Sequence, residues 1–216
     1  NGFTGKNFKL VADIDLKNVE WTPIGTETNC FMGNFDGNNK VVKNLTVTNL
    51  ANTYDGYAYI GLFGVTEGSE AKHNYIKNLT IENVTISSTG NIVSAAVAYS
   101  YYTDVENITV KGDINIKGGN YTAGVLAYTR RCVVAKNLTV EGNAGSVIEG
   151  GTTVGGVISD IQMNGGLVAD YSNFKAKGLT IKANKAVGGI SGIISGQTLD
   201  GASVENVAIV CDNEHK

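Results

Sequence analysis

One four-residue pattern recurs six times along the 216-residue chain and leaves few folds open. It reads Asn-Leu-Thr-Val at Asn44–Val47, Asn-Leu-Thr-Ile at Asn78–Ile81 and Asn-Ile-Thr-Val at Asn107–Val110. It returns as Asn-Leu-Thr-Val at Asn137–Val140, Gly-Leu-Thr-Ile at Gly178–Ile181 and Asn-Val-Ala-Ile at Asn206–Ile209. The copies start 34, 29, 30, 41 and 28 residues apart. A second pattern of small residue, glycine and aliphatic residue is centred on Gly61, Ala95, Gly124, Gly156 and Gly189, at spacings of 34, 29, 32 and 33. Two patterns marching together at about 30 residues mark a coiled repeat.

Within each copy the first and third of the last three residues are aliphatic and the middle one is mostly polar, the period of a strand with one buried face. Further short pieces follow, such as Val84-Thr85-Ile86 and Ile114-Asn115-Ile116. Three short strands and their turns in some 30 residues predict one coil of a parallel β-helix. No stretch carries the apolar period of a helix, and no leucine-rich repeat appears. The expected fold is therefore all-β, a single-stranded parallel β-helix of about six irregular coils, right-handed because parallel crossovers are. One domain is expected over 1–216, with an atypical N-terminal capping rung at 1–43, repeats at 44–210 and a polar tail at 211–216. Trp21, Phe31 and Phe35 suit a plug at the open N-terminal end.

Stacking gives specific expectations. Leu45, Leu79, Ile108, Leu138, Leu179 and Val207 form one internal aliphatic ladder. Asn44, Asn78, Asn107, Asn137 and Asn206 form a corner ladder, where Asn tolerates left-handed backbone. Thr46, Thr80, Thr109, Thr139 and Thr180 form a single outer row, too uneven for the paired rows of an ice-binding face. The repeat glycines sit where a Cβ is unwelcome, and a single proline fits a chain whose rungs nearly all donate backbone hydrogen bonds. Leu62, Ala96, Val125, Val157 and Ile190 form a further column. Their neighbours Phe63, Val97, Leu126 and Ile158 are also apolar, which predicts either loops folded over that face or an apolar strip that meets a partner.

The residues also carry a resemblance. Asp13–Leu16 (Asp-Ile-Asp-Leu), Trp21–Gly25, the run from Phe31 through Gly33 and Phe35 to Asn38, Asn44–Val47 and Ile60–Gly64 (Ile-Gly-Leu-Phe-Gly) together resemble the GLUG-repeat family. The likeness is close over residues 8–86 and looser beyond, and Gly-Leu-Phe-Gly occurs intact once, at Gly61–Gly64. That family comprises β-helical segments of large bacterial surface and secreted proteins, including some streptococcal immunoglobulin-A proteases. The resemblance implies a surface or secreted location and an adhesin-like or architectural role, with no catalytic motif to transfer. The first residue, Asn1, is read as the start of a trimmed chain, a mature product or an excised domain.

Chemistry narrows the function. A net charge of −3 with no basic stripe speaks against a nucleic-acid partner, and no apolar run of ~18 residues predicts a membrane-spanning helix. Hydrophobic content of 42% is too high for disorder. Cys30, Cys132 and Cys211 show no CxxC spacing and read as buried thiols acting as small hydrophobes. With only His73 and His215, no zinc protease site is expected. Asp13, Asp15 and Asp36 are calcium candidates in the cap, or else strand and turn residues. No metal or cofactor is predicted. A glycosidase needs paired carboxylates about 5–9 Å apart, and Asp104, Asp160 and Asp200 share no ladder register, so no catalytic residue is assigned. The sequons at Asn44, Asn78, Asn83, Asn107, Asn120 and Asn137 belong to the strand pattern rather than to glycosylation.

Four residues beyond the repeat glycine stand Val65, Tyr99, Tyr128, Asp160 and Ile193, which predicts that Tyr99 and Tyr128 stack on adjacent rungs. Tyr101, Tyr102 and Tyr121 lie nearby, Tyr54, Tyr57 and Tyr59 occupy an earlier loop, and Arg130 and Arg131 are the chain's only arginines. Tyrosine planes on a groove suit sugar binding, while a stack that merely covers turns is the alternative. The predicted ligand-binding set is Tyr99, Tyr101, Tyr102, Tyr128, Arg130 and Arg131, for a host or microbial glycan or an extracellular protein. The rival expectations are a polysaccharide-active enzyme and a passive stalk.

Overall fold

The computed structural model describes residues 3–17, 19–48, 58–162 and 169–212. Among them the chain coils into a parallel β-solenoid of about six turns, its strands gathered into one ten-stranded and two five-stranded sheets. The ten-stranded sheet is built from long bent strands, Asn34–Val47, Asn74–Ser87, Thr103–Lys117, Val134–Gly142, Asp170–Ala183 and Ser203–Cys211. The second sheet stacks Tyr59–Ile60, Ile92–Ser94, Tyr121–Ala123, Thr153–Gly155 and Ala186–Gly188. The third stacks Phe63–Glu67, Val97–Tyr101, Leu126–Arg130, Ile158–Ile161 and Ser191–Ile194. Pairing begins early, since Asn7–Lys9 and Ile14–Asp15 already lie parallel to Asn34–Val47.

The single aliphatic ladder expected from the repeat is two ladders. Leu79, Ile108, Leu138 and Phe174 are successive partners, whereas Leu45 faces Val84 and Ile114, and Leu179 faces Val207. The reason is that one coil holds the motif twice, as Asn78-Leu-Thr-Ile and again as Asn83-Val-Thr-Ile. Each asparagine turns a corner in the left-handed conformation, with φ of 52–59° at Asn44, Asn78, Asn83, Asn107, Asn137, Asn173 and Asn206. The asparagine ladder is accordingly two as well. At the first corner Asn107 Nδ2 donates to Asn78 Oδ1 at 2.8 Å, Asn137 to Asn107 at 2.7 Å and Asn173 to Asn137 at 3.1 Å. At the second, Asn83 Nδ2 reaches Asn44 Oδ1 at 3.4 Å, and Gly112 and Gly178 take later places with φ of 89° and 67°. The threonine row divides likewise: Thr80, Thr109 and Thr139 align, while Thr46 pairs with Thr85.

Both corner ladders begin on an aspartate. Asn78 Nδ2 donates to Asp36 Oδ1 at 3.0 Å and Asn44 Nδ2 to Asp15 Oδ1 at 2.7 Å. Asp13 Oδ1 accepts the Val41 N–H at 2.9 Å. The calcium candidates are thus spent on backbone and amide donors, and no group of three metal-ligating side chains occurs among the described residues. Outside the long sheet the charges alternate coil by coil, in the register Lys43, Glu82, Lys111, Glu141, Lys177, Glu205. Lys111 meets Glu82 at 3.2 Å and Lys177 meets Glu205 at 2.8 Å.

Neither covering loops nor an exposed apolar strip accounts for the paired apolar columns. Leu62, Phe63, Ala96, Val97, Val125, Leu126, Val157 and Ile158 are all buried in the main core. The chain bends between the second and third sheets at these positions, so the in–out alternation restarts and adjacent residues both turn inward. Gly124 and Gly156 lie inside that bend, where a Cβ would stand 2.4 Å and 2.0 Å from the carbonyl oxygens of Gly156 and Gly189. Of the three cysteines, only Cys132 is buried as expected. Cys30 is half-buried and Cys211 exposed, because the coil carrying Cys211 has no further coil of the described residues over it.

Candidate functional site

The column predicted by counting from the repeat glycine is the column found. Val65 pairs with Tyr99, Tyr99 with Tyr128, Tyr128 with Asp160 and Asp160 with Ile193. The tyrosine rings of adjacent coils lie 5.5 Å apart, tilted by 41°. Sequence spacing did not reveal what flanks them. In the second sheet Tyr59, Ile92 and Tyr121 align, bringing Tyr59 to 5.7 Å from Tyr99 and Tyr121 edge-on to Tyr128 at 5.2 Å. Beneath these rings Ile92, Ala98 and Ala127 form a small buried cluster separate from the main core. The tyrosines therefore roof an external hydrophobic corner between two sheets, each ring half-buried. Tyr54 and Tyr57 lie outside the described residues.

The remaining site residues follow at the strand ends. Tyr101 runs parallel to Tyr99 at 6.5 Å, and Tyr102 packs against Tyr101 at 4.5 Å and against His73 at 5.5 Å. Glu67, Tyr101 and Arg130 share a column. The Arg130 side chain crosses to hydrogen-bond the Tyr99 hydroxyl, and Arg130 is exposed whereas Arg131 is half-buried. Burial pushes the Tyr99 phenol up, and the adjacent Arg130 charge pulls it partly back. Tyr102 is also raised, first by desolvation and then by Tyr101 and Glu70. All six predicted residues thus gather on one side of adjacent coils.

Asp160 continues the tyrosine column and is 2% exposed. Burial raises its pKa, opposed by Gln162, whose amide nitrogen stands 2.7 Å from each carboxylate oxygen. Asp104 and Asp200 lie elsewhere, on the long sheet, paired with Tyr75 and Ser172. Asp104 Oδ1 accepts the Val133 and Val134 N–H groups at 3.1 and 3.0 Å and stands 3.2 Å from His73 Nδ1. Its role is to hold the backbone after Cys132, whose thiol burial and the neighbouring Asp104 push up to about 12.

Among the described residues, two of the shallow polar grooves follow the ladders of the long sheet. One, of about 330 Å³, is lined by Asn78, Asn107, Asn137 and their partners Thr80, Thr109 and Thr139. The other, about 440 Å³, lies along the lysine–glutamate ladder. In both, side chains already bond to the next coil.

No protein-family model matches the chain, and no solved structure is significantly similar to it. A protein of Evansella cellulosilytica, described as a "Putative Gly-rich membrane protein", is 30% identical over 115 residues. The match covers 50% of this chain and 12% of that protein, so the chain corresponds to a small part of its relative.

Proposed function

We propose that the chain is a non-enzymatic binding module of a bacterial cell-surface or secreted protein, and that its tyrosine face takes a glycan or an extracellular protein. The observation that carries this reading is the aromatic cluster itself. Tyr59, Tyr99, Tyr101, Tyr121 and Tyr128 converge on one outer corner over three coils, while the solenoid's own core is complete without them. Tyrosine offers a rigid apolar body with a hydroxyl at its tip, the combination that binds sugars and protein surfaces alike. A GLUG-like character would agree with such a role, as would the membrane-protein name of the Evansella relative.

The test is binding of the purified protein to an array of host and microbial glycans and matrix proteins, alongside Tyr99→Ala/Tyr128→Ala. Specific binding lost in the folded double variant supports the site. Binding retained by the variant moves the site elsewhere. Silence across the array favours a passive stalk, for which the long sheet's asparagine and charge ladders are suited. Cleavage of any arrayed polysaccharide would overturn the non-enzymatic reading and direct attention to Asp160.

A further inference from the structure

The arginines and the backbone at the tyrosine corner say more about the ligand. Lysine supplies the cation in the coil-to-coil ion pairs of the long sheet, at Lys111, Lys117, Lys136, Lys175, Lys177 and Lys182. The chain's two arginines stand together at the tyrosine corner instead. A guanidinium differs from an ammonium in presenting a planar fork that meets carboxylate or sulfate oxygens two at a time and lies flat on aromatic rings.

The backbone holds these side chains at a cost. Left-handed φ among the described residues belongs to asparagine and glycine except at Phe3, near the first described residue, and within the coils at Tyr102 and Arg131, with φ of 47° and 58°. They are equivalent positions of successive coils, each following the last residue of a third-sheet strand, and the Tyr102 N–H donates to the Arg130 carbonyl at 3.3 Å. Bulky residues are strained in this region. Asparagine takes such a conformation nine times among the described residues, Asn44, Asn78, Asn107 and Asn137 included. A fold selected for stability alone has that residue to hand. Keeping Tyr102 and Arg131 there points to a use for their side chains.

We propose that this corner recognises an acidic glycan, with Arg130 and Arg131 on the carboxylate or sulfate groups and the tyrosines along the sugar rings. The inference rests on the glycan reading above and narrows it. The coil repeat favours a polymer running along the solenoid axis, because strands stack about 4.8 Å apart, close to the rise of one extended pyranose. Successive sugars then meet successive coils, and Tyr99 and Tyr128 offer equivalent contacts. Of the carboxylates near the corner, Asp160 beside Tyr128 is 2% exposed and held by the Gln162 amide, and Asp104 is bound to the Val133 and Val134 N–H groups. Glu67 is engaged with the Cys30 thiol, and Glu70 acts on Tyr102 from the side of the preceding turn.

The experiment measures binding to oligogalacturonate, to heparin-derived oligosaccharide, to neutral cello-oligosaccharide and to polyglutamate, for the parent and for Arg131→Asn, Tyr102→Asn and Arg130→Lys. Expected is preference for one or both acidic glycans, the two arms separating carboxylate from sulfate. Loss of one charged, bidentate contact weakens this binding roughly tenfold or more. Arg131→Asn and Tyr102→Asn should do so while the melting temperature holds or rises, because the corner is relieved. A fall in melting temperature like that of a core truncation would make these residues structural and overturn the proposal. Equal binding of neutral sugar, unaffected by the arginine variants, overturns the acidic preference and leaves the glycan reading standing. Equal retention of polyglutamate overturns recognition of the sugar, and no binding to any glycan overturns both.

Discussion

The first and last described coils treat the same kind of ladder oppositely. Val47, Ile86, Ile116, Ile148, Ile181 and Ile209 form one continuous internal column. At its N-terminal end Val47 is fully buried beneath the preceding turn, where Glu20 bridges Thr46 and the Trp21 N–H donates to the Thr46 carbonyl at 2.8 Å. At its C-terminal end Ile209 is 51% exposed, as is Val204. Between them Ile181 is 0% exposed. Register and residue type are shared along the column, so neither decides burial. Cover from the next coil does, and at the N-terminal end aromatic residues supply much of it: Phe31 packs on Phe8 at 5.7 Å and on Phe63 at 5.2 Å.

Truncating one side chain in each coil separates the two most strongly. Phe31→Ala removes a ring that is 4% exposed and should cost about 3–5 kcal/mol. Ile209→Ala, at half exposure, should cost under about 1 kcal/mol. Urea melts of the two variants decide the point, and equal losses would mean that the C-terminal coil is covered in solution. A second pair uses the glycine column. In Gly156→Ala the new methyl meets the Gly189 carbonyl oxygen at 2.0 Å, inside backbone that cannot yield, so about 3 kcal/mol or more is expected. In Gly189→Ala the nearest atoms, at 2.9–3.0 Å, are methyls of Val204 on the exposed last coil. That side chain can turn away, so the cost should be about 1 kcal/mol, the low end for overpacking. Similar melting temperatures for the two variants would refute the idea that the last coil yields.

This asymmetry explains what could be read in advance. The fold class and the tyrosine column were legible because they rest on period alone, and the period survives loop insertions between rungs. The ladders were misassigned because Asn-aliphatic-Thr-aliphatic occurs at both corners of a coil, and only pairing can tell Asn44 with Asn83 from Asn44 with Asn78. The apolar neighbours Ala96 and Val97 suggested a loop-covered face or an open apolar strip because alternation was carried through a bend that resets it. Asp15 and Asp36 left two readings open, cation ligands or strand and turn residues, because carboxylates near turns resemble each other in sequence, whereas the asparagines that engage them lie 29 and 42 residues away. The left-handed strain at Tyr102 and Arg131 leaves no trace in the sequence at all.

The smallest expected effect is electrostatic and again divides the ends. In each corner ladder the side-chain amides point the same way, N–H toward the N-terminus, so their dipoles add along the axis and the donor end is closed by Asp36 or Asp15. An anion there complements the stack, as it does at any array of aligned donors. The Asn44 amide and the Lys17 N–H hold the Asp15 carboxyl below its usual range. Burial pushes Asp36 up, but hydrogen bonds from Asn78 and from the Asn38 N–H outweigh it, and Asp36 also ends low. A folded value below the unfolded one, about 3.9, means stabilisation that is complete above about pH 4 and lost as pH falls through the folded values. Glu205 at the other end is lowered too, by the hydrogen bond and charge of Lys177, but salt screens that ion pair, whereas the donors to Asp15 and Asp36 are neutral amides. Hydrogen exchange at falling pH in high salt should therefore show protection lost first in the coils around Asn44 and Asn78. Asp15→Asn/Asp36→Asn should abolish that acid step with the ladders intact, because an amide oxygen still accepts while nothing is left to protonate. Persistence of the step in the double variant would assign it to other carboxylates and leave the ladder heads electrostatically silent.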